Sequence, residues 1–145
     1  MNISGFQYNL NHKALEIYVS GCTGECVGCH NTELWDFSIG KDYRDFFLKI
    51  ENKIKTGLVD IVWVLGGDPL DQNPVDLIQL LKFIKTFNVK LFLWTRYMID
   101  DLPNGILNYL DYIKTGKFIP DNSSYIEPVF NIKLASSNQK IIKVK

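Results

Sequence analysis

Apolar and polar positions along this chain switch between two rhythms. The stretch "ALEIYVSGC" (14–22) predicts a strand running into a glycine-containing loop. In "DYRDFFLKIENKIK" (42–55), Tyr43, Phe46, Phe47, Ile50 and Ile54 recur at helical spacing and predict one apolar helix face. "VDIVWVL" (59–65) is a near-continuous apolar run, as in strands covered on both faces. After "GGDPLDQN", Asn73 and Pro74 occupy the cap and first position of a second helix, which would bury Leu77, Ile78, Leu81 and Ile84. "VKLFLWT" (89–95) predicts a third buried strand.

Beyond residue 95 the rhythm weakens. Ile106, Leu107 and Leu110 suit a short helix, and "DYIKTGKF" (111–118) a strand bent at its glycine. A polar loop (120–128) and two short extended pieces (129–135 and 140–145) complete the chain. Alternating strands and helices predict an α/β fold with a mostly parallel sheet, and residues 1–145 read as a single domain. In such sheets ligands sit beyond the carboxyl ends of the strands. Two unusual segments fall there, the cysteine loop after the first strand and "GGDPL" after the second.

Composition narrows the function classes. With 46% apolar residues the chain can bury a core, and 16 basic residues balance 16 acidic ones. The basic residues are dispersed, so no nucleic-acid footprint is expected. The N-terminus lacks the apolar stretch of a signal peptide, and no uncharged apolar run approaches the roughly 18 residues of a membrane span. A cytoplasmic location is therefore expected, where clustered thiols hold metal or do redox chemistry.

All three cysteines lie within eight residues, as C-x3-C-x2-C: Cys22, Cys26 and Cys29, interleaved with Gly24 and Gly28. An iron–sulfur cluster on three protein thiolates keeps one iron open to a small molecule, whereas a ferredoxin-type carrier needs a fourth cysteine. A zinc site would have to recruit His30 or His12, and His30 adjoins Cys29, which is awkward for a tetrahedral site. A redox pair of Cys26 and Cys29 leaves Cys22 without a role, and three inert thiols are a further alternative. In "GGDPL", Gly66 and Gly67 let a ligand lie against the backbone with N–H groups available, and Asp68 offers a carboxylate to an ammonium group. The same residues also suit an ordinary turn. Thr95 and Arg96 end a strand at the same edge. Asn31 and Trp35 follow the cysteine loop, Trp35 as a wall for the cluster or as a core aromatic, while Asn138 and Gln139 suit adenine or ribose contacts or a turn.

The cysteine spacing together with the Gly-Gly-acid-Pro turn resembles the radical S-adenosyl-L-methionine (SAM) superfamily. The resemblance implies a radical SAM core, a partial (βα) barrel. It makes Cys22, Cys26 and Cys29 ligands of a 4Fe-4S cluster whose open iron is chelated by SAM. SAM would be contacted by Gly66, Gly67 and Asp68 and by the segment Gly28, Cys29 and His30, with Thr95 and Asn138 as further candidates. Reductive cleavage of SAM then yields a 5′-deoxyadenosyl radical, with no residue acting as a conventional acid or base.

"CVGCHNTELW", "GGDPLDQN", "LFLWTRY", "GKF" and "SSNQ" are similar, in this order, to the glycyl-radical activases of anaerobic (class III) ribonucleotide reductase, from about Ile17 to Gln139. That family implies an oxidoreductase that takes a hydrogen from a glycine of a large partner enzyme. It also implies a low-potential electron donor such as a flavodoxin. A pyruvate formate-lyase-like partner, another substrate, or a non-catalytic zinc-binding module are the rival readings. The chain departs from the family pattern at "NLNHKAL", where Asn-Gly-Pro-Gly is usual, at Thr115, where Asp is common, and at Leu134 and Ala135, where Arg-Gly is usual.

Overall fold

The computed structural model describes all residues, Met1–Lys145. Four parallel strands form the centre of a seven-stranded sheet: β2 (Ala14–Ser20), β4 (Ile61–Gly66), β5 (Lys90–Trp94) and β6 (Tyr112–Thr115). Antiparallel strands flank them, with β1 (Asn2–Asn9) and β3 (Lys41–Asp42) on one side and β9 (Lys140–Lys143) on the other. A separate hairpin joins β7 (Tyr125–Glu127) to β8 (Ile132–Leu134).

The apolar runs divide between two faces, as a strand's alternation requires. Leu15, Ile17, Val62, Val64, Leu91 and Leu93 pack under α1 (Phe47–Lys55) and α2 (Pro74–Lys85). Ile61, Trp63 and Phe92 point the other way, beneath Ile132 and Leu134 of the hairpin. The parallel strands are thus covered on both sides, by helices on one face and by the hairpin on the other. The Asn73 side chain caps α2 by accepting from the N–H groups of Val75 and Asp76, and Pro74 opens the helix, as its sequence predicts.

Two elements differ from expectation. β1 has no apolar periodicity, because it is a polar outer strand with a register shift between Ile3 and Gly5 and with only Ile3 buried. The segment 42–55 is helical only from Phe47. Its first residues, Tyr43–Phe46, form a tighter 3-10 turn capped by Asp42, whose side chain accepts from Arg44 N–H. No helix is long and apolar enough to cross a membrane.

Candidate active site

β2 and β4 are neighbours in parallel register, with Val19 opposite Gly66, so the loops that leave their carboxyl ends start side by side. They are stitched together. Gly67 N–H donates to Val19 O at 2.8 Å, Asp68 N–H to Gly21 O at 2.9 Å, and Gln72 Nε2 to the same Gly21 oxygen at 2.9 Å. A Cβ on Gly67 would lie 2.3 Å from that oxygen, so the turn needs glycine for this close approach. These bonds correct the expectation of free N–H groups after β4. At Gly67 and Asp68 they position the cysteine loop instead of awaiting a ligand.

Asp68 also has donors of its own within the fold. Its carboxylate accepts the Thr95 hydroxyl at 2.8 and 3.0 Å, Leu70 N–H at 3.0 Å and Arg96 N–H at 2.9 Å, and the residue is only 2% exposed. Burial pushes its pKa up, and the donors on Arg96, Leu70 and Thr95 oppose that shift. The carboxylate therefore braces the ends of β4 and β5 at the cavity wall.

A second network holds the cysteine loop. Asp71 accepts Thr23 N–H at 2.8 Å, the Thr23 hydroxyl at 3.0 Å and the Tyr97 hydroxyl at 2.6 Å. The Arg96 guanidinium reaches Asp71 at 3.0 Å and the Thr23 hydroxyl at 3.0 Å, so Arg96 is an internal clasp. Held this way, Cys26 is buried and Cys22 and Cys29 are half-buried, all three as free thiols. Gly24 N–H donates to Cys22 Sγ at 3.3 Å and Asn31 N–H to Cys29 Sγ at 3.4 Å. Burial raises the pKa of the Cys22 thiol, and the Gly24 N–H works against it.

All three cysteines open onto one cavity of about 290 Å³, which Gly66, Gly67, Asp68 and Thr95 also line. No three His, Cys, Asp or Glu side chains stand close enough together to hold a single metal ion. His12 lies elsewhere, with Nε2 2.7 Å from Phe130 O and its ring against Trp63, which removes it as a fourth ligand. His30 and Asn31 line the cavity, and the His30 ring packs near Phe118 at 5.4 Å. The donor set thus fits a cluster with three protein thiolates.

Other expected residues fall outside that cavity. Gly28 lies beside the Phe118 ring, with φ +74°, and does not line the cavity. Asn138 donates to Lys117 O at 2.8 Å and accepts from Asn122, whereas its neighbour Gln139 lines the wall. Trp35 is also off the wall, its backbone oxygen accepting Cys22 N–H. Leu134 and Ala135, where the family pattern is broken, line the cavity, and Thr115 is buried but does not line it.

Sequence reasoning missed Lys114. Its available signal was a lysine between Ile113 and Thr115 in a strand whose inner residues are all buried. Lys114 Nζ donates to Gly116 O at 3.0 Å and to Thr95 O at 3.4 Å, and the residue lines the same cavity as the cysteines. Burial lowers its pKa to about 8, against the opposing influence of Asp68 and Cys26.

Residues 13–142 match the family model of the 4Fe-4S single cluster domain. Among known proteins, the chain is similar to three that are each named anaerobic ribonucleoside-triphosphate reductase-activating protein. The one from Pasteurella multocida is 34% identical over 123 residues, covering 74% of this chain and 75% of the relative. Those from Vibrio cholerae and Haemophilus influenzae are 33% and 32% identical over 121 residues, with the same shares of 74% and 75%. Cysteine loop, glycine turn and matched length agree: the chain belongs to the radical SAM, 4Fe-4S family of anaerobic ribonucleoside-triphosphate reductase-activating proteins.

Proposed function

We propose that Cys22, Cys26 and Cys29 hold the family's 4Fe-4S cluster, that SAM lies over Gly66 and Gly67, and that the chain installs a glycyl radical on anaerobic ribonucleoside-triphosphate reductase. One observation carries the reading: three thiols and the glycine turn face a common cavity at the carboxyl ends of adjacent parallel strands. When bound, the cluster and SAM supply the one-electron cleavage and the hydrogen abstraction. The protein's own residues orient and shield. Val19 and Gly21 anchor the turn, Asp68 and Thr95 fix its exit, and Asp71 with Arg96 clamps the cysteine loop. His30 and Gln139 line the remaining wall, in place of the Gly28 and Asn138 side of those segments, and suit the nucleoside end of SAM.

Residues 1–145 act as one activase domain, a partial (βα) barrel with α1 and α2 on one face. The cavity mouth at the carboxyl ends of the parallel strands reads as the side that admits a glycine loop of the large partner. A low-potential donor such as a flavodoxin delivers the electron, and the cytoplasm, which keeps thiols reduced, suits the cluster.

Anaerobic reconstitution with iron and sulfide, followed by EPR of the reduced protein, tests this reading. A 4Fe-4S signal that changes on adding SAM, with 5′-deoxyadenosine formed and Cys26→Ser lacking both, is the expected result. Stoichiometric zinc with no iron–sulfur signal would overturn it in favour of the zinc-binding module. SAM cleavage without radical formation on the reductase would point to another substrate.

A further inference from the structure

Lys114 is the one buried cation of the cavity that makes no salt bridge, although the charges of Asp68 and Cys26 reach it. Three basic side chains line that space: Arg96, Lys114 and Lys133. Arg96 is committed to Asp71, and Lys133 is an exposed residue of β8 that reaches water. Lys114 is 9% exposed and makes no salt bridge, and its ammonium donates only to the neutral carbonyls of Gly116 and Thr95. An ammonium has three donors, so one is left over. Burying a charge without a counter-ion is expensive, and such groups persist where an anion completes them.

The cysteines do not supply that anion directly. Their recorded donors are the backbone N–H groups of Gly24 and Asn31, and no sulfur accepts a hydrogen bond from Lys114. Instead Nζ is held by the carbonyls of Thr95 and Gly116, which follow β5 and β6, next to the Asp68–Thr95 brace. Asp68 is occupied by its own donors. What the wall lacks is a carboxylate brought in by the ligand.

Resting on the functional reading above, we propose that Lys114 is a positioning residue that receives the carboxylate of bound SAM. Its two carbonyl bonds aim the ammonium, and the third donor closes on the ligand. The chain thereby carries its own fixed cation where the ligand's charge is buried.

The test compares cluster-loaded wild type with Lys114→Met and Lys114→Gln, titrated anaerobically with SAM and with decarboxylated SAM. Iron content and circular dichroism report that each variant is loaded and folded. Both variants are expected to bind SAM about tenfold to a hundredfold more weakly than wild type, the worth of a charge-assisted hydrogen bond. For decarboxylated SAM all three proteins should bind alike. Equal SAM affinity in variants and wild type, or an equal loss for both ligands, overturns the proposal while leaving the enzyme reading intact. A variant whose only change is the cluster's midpoint potential measured without ligand overturns it too, since Lys114 would then act on the cluster. Wild type that takes up the cluster but binds no SAM would bring down the functional reading itself.

Discussion

The Thr95 hydroxyl lies 2.8 Å from one Asp68 carboxylate oxygen and 3.0 Å from the other, with both residues almost fully buried. Two neighbouring parallel strands, joined in sequence through α2, are thereby tied again at their carboxyl ends, at the cavity wall. Thr95→Val keeps the shape but removes a donor from a buried carboxylate, and should cost about 1–3 kcal/mol of stability. Thr95→Ser should keep most of it. Chemical denaturation of the cluster-free protein measures both, and equal stability of Val and wild type would show that the bond is idle.

The approach of the two loops is equally specific. An added Cβ at Gly67 meets Gly21 O at 2.3 Å and Gly21 C at 2.8 Å, backbone atoms that cannot swing aside. Gly67→Ala should therefore separate the glycine turn from the cysteine loop and lower iron incorporation on reconstitution. Gly5 is the control, since a Cβ there meets nothing within 4 Å. Gly5→Ala should load iron as wild type does, and a Gly67→Ala protein that loads equally well would refute the need for contact.

Much of this site was legible because its signals are local. Buried strands announce themselves as apolar runs, α2 carries its cap in Asn73 and Pro74, and the cysteine spacing needs no partner to be noticed. Strand β1 was hidden because one polar-rich strand with a bulge has no period to detect. Asp68, Asp71 and Lys114 were misjudged or missed for a different reason. Their roles depend on which group faces them, and those groups are far away in the chain: Thr95 from Asp68, Thr23 and Arg96 from Asp71, Thr95 from Lys114. A carboxylate's residue type does not say whether it meets a ligand or a neighbouring hydroxyl.

Asp71 offers the sharpest mutational test of the cysteine loop's rigidity. It gathers Thr23, Arg96 and Tyr97, so Asp71→Ala leaves a guanidinium and several donors without their acceptor. A hydrogen bond to a charged group is worth about 1.5–3 kcal/mol, and part of that should appear as a less stable fold. More telling is retention of the cluster. The variant should lose iron to a chelator several-fold faster than wild type, with Thr23→Ala intermediate. Unchanged release would mean that the loop holds its shape through the Gly21 bonds alone.

Lys114 sets a stability cost that depends on pH in a calculable direction. Its pKa falls from 10.5 to about 8 in the folded protein, chiefly through burial. Between those values the unfolded chain holds a proton that the folded chain does not, so stability rises with pH across that window. Below about pH 8 both states are charged and the whole cost stands, on the order of 3 kcal/mol for a gap of this size. Lys114→Met should therefore make the cluster-free protein more stable than wild type at pH 7, with the advantage shrinking toward pH 10. Urea denaturation at the two pH values measures the difference, and an advantage that does not change with pH would show that packing, not the buried charge, is responsible. A variant that gains stability while losing affinity for SAM would identify Lys114 as a residue kept for its ligand at the expense of the fold.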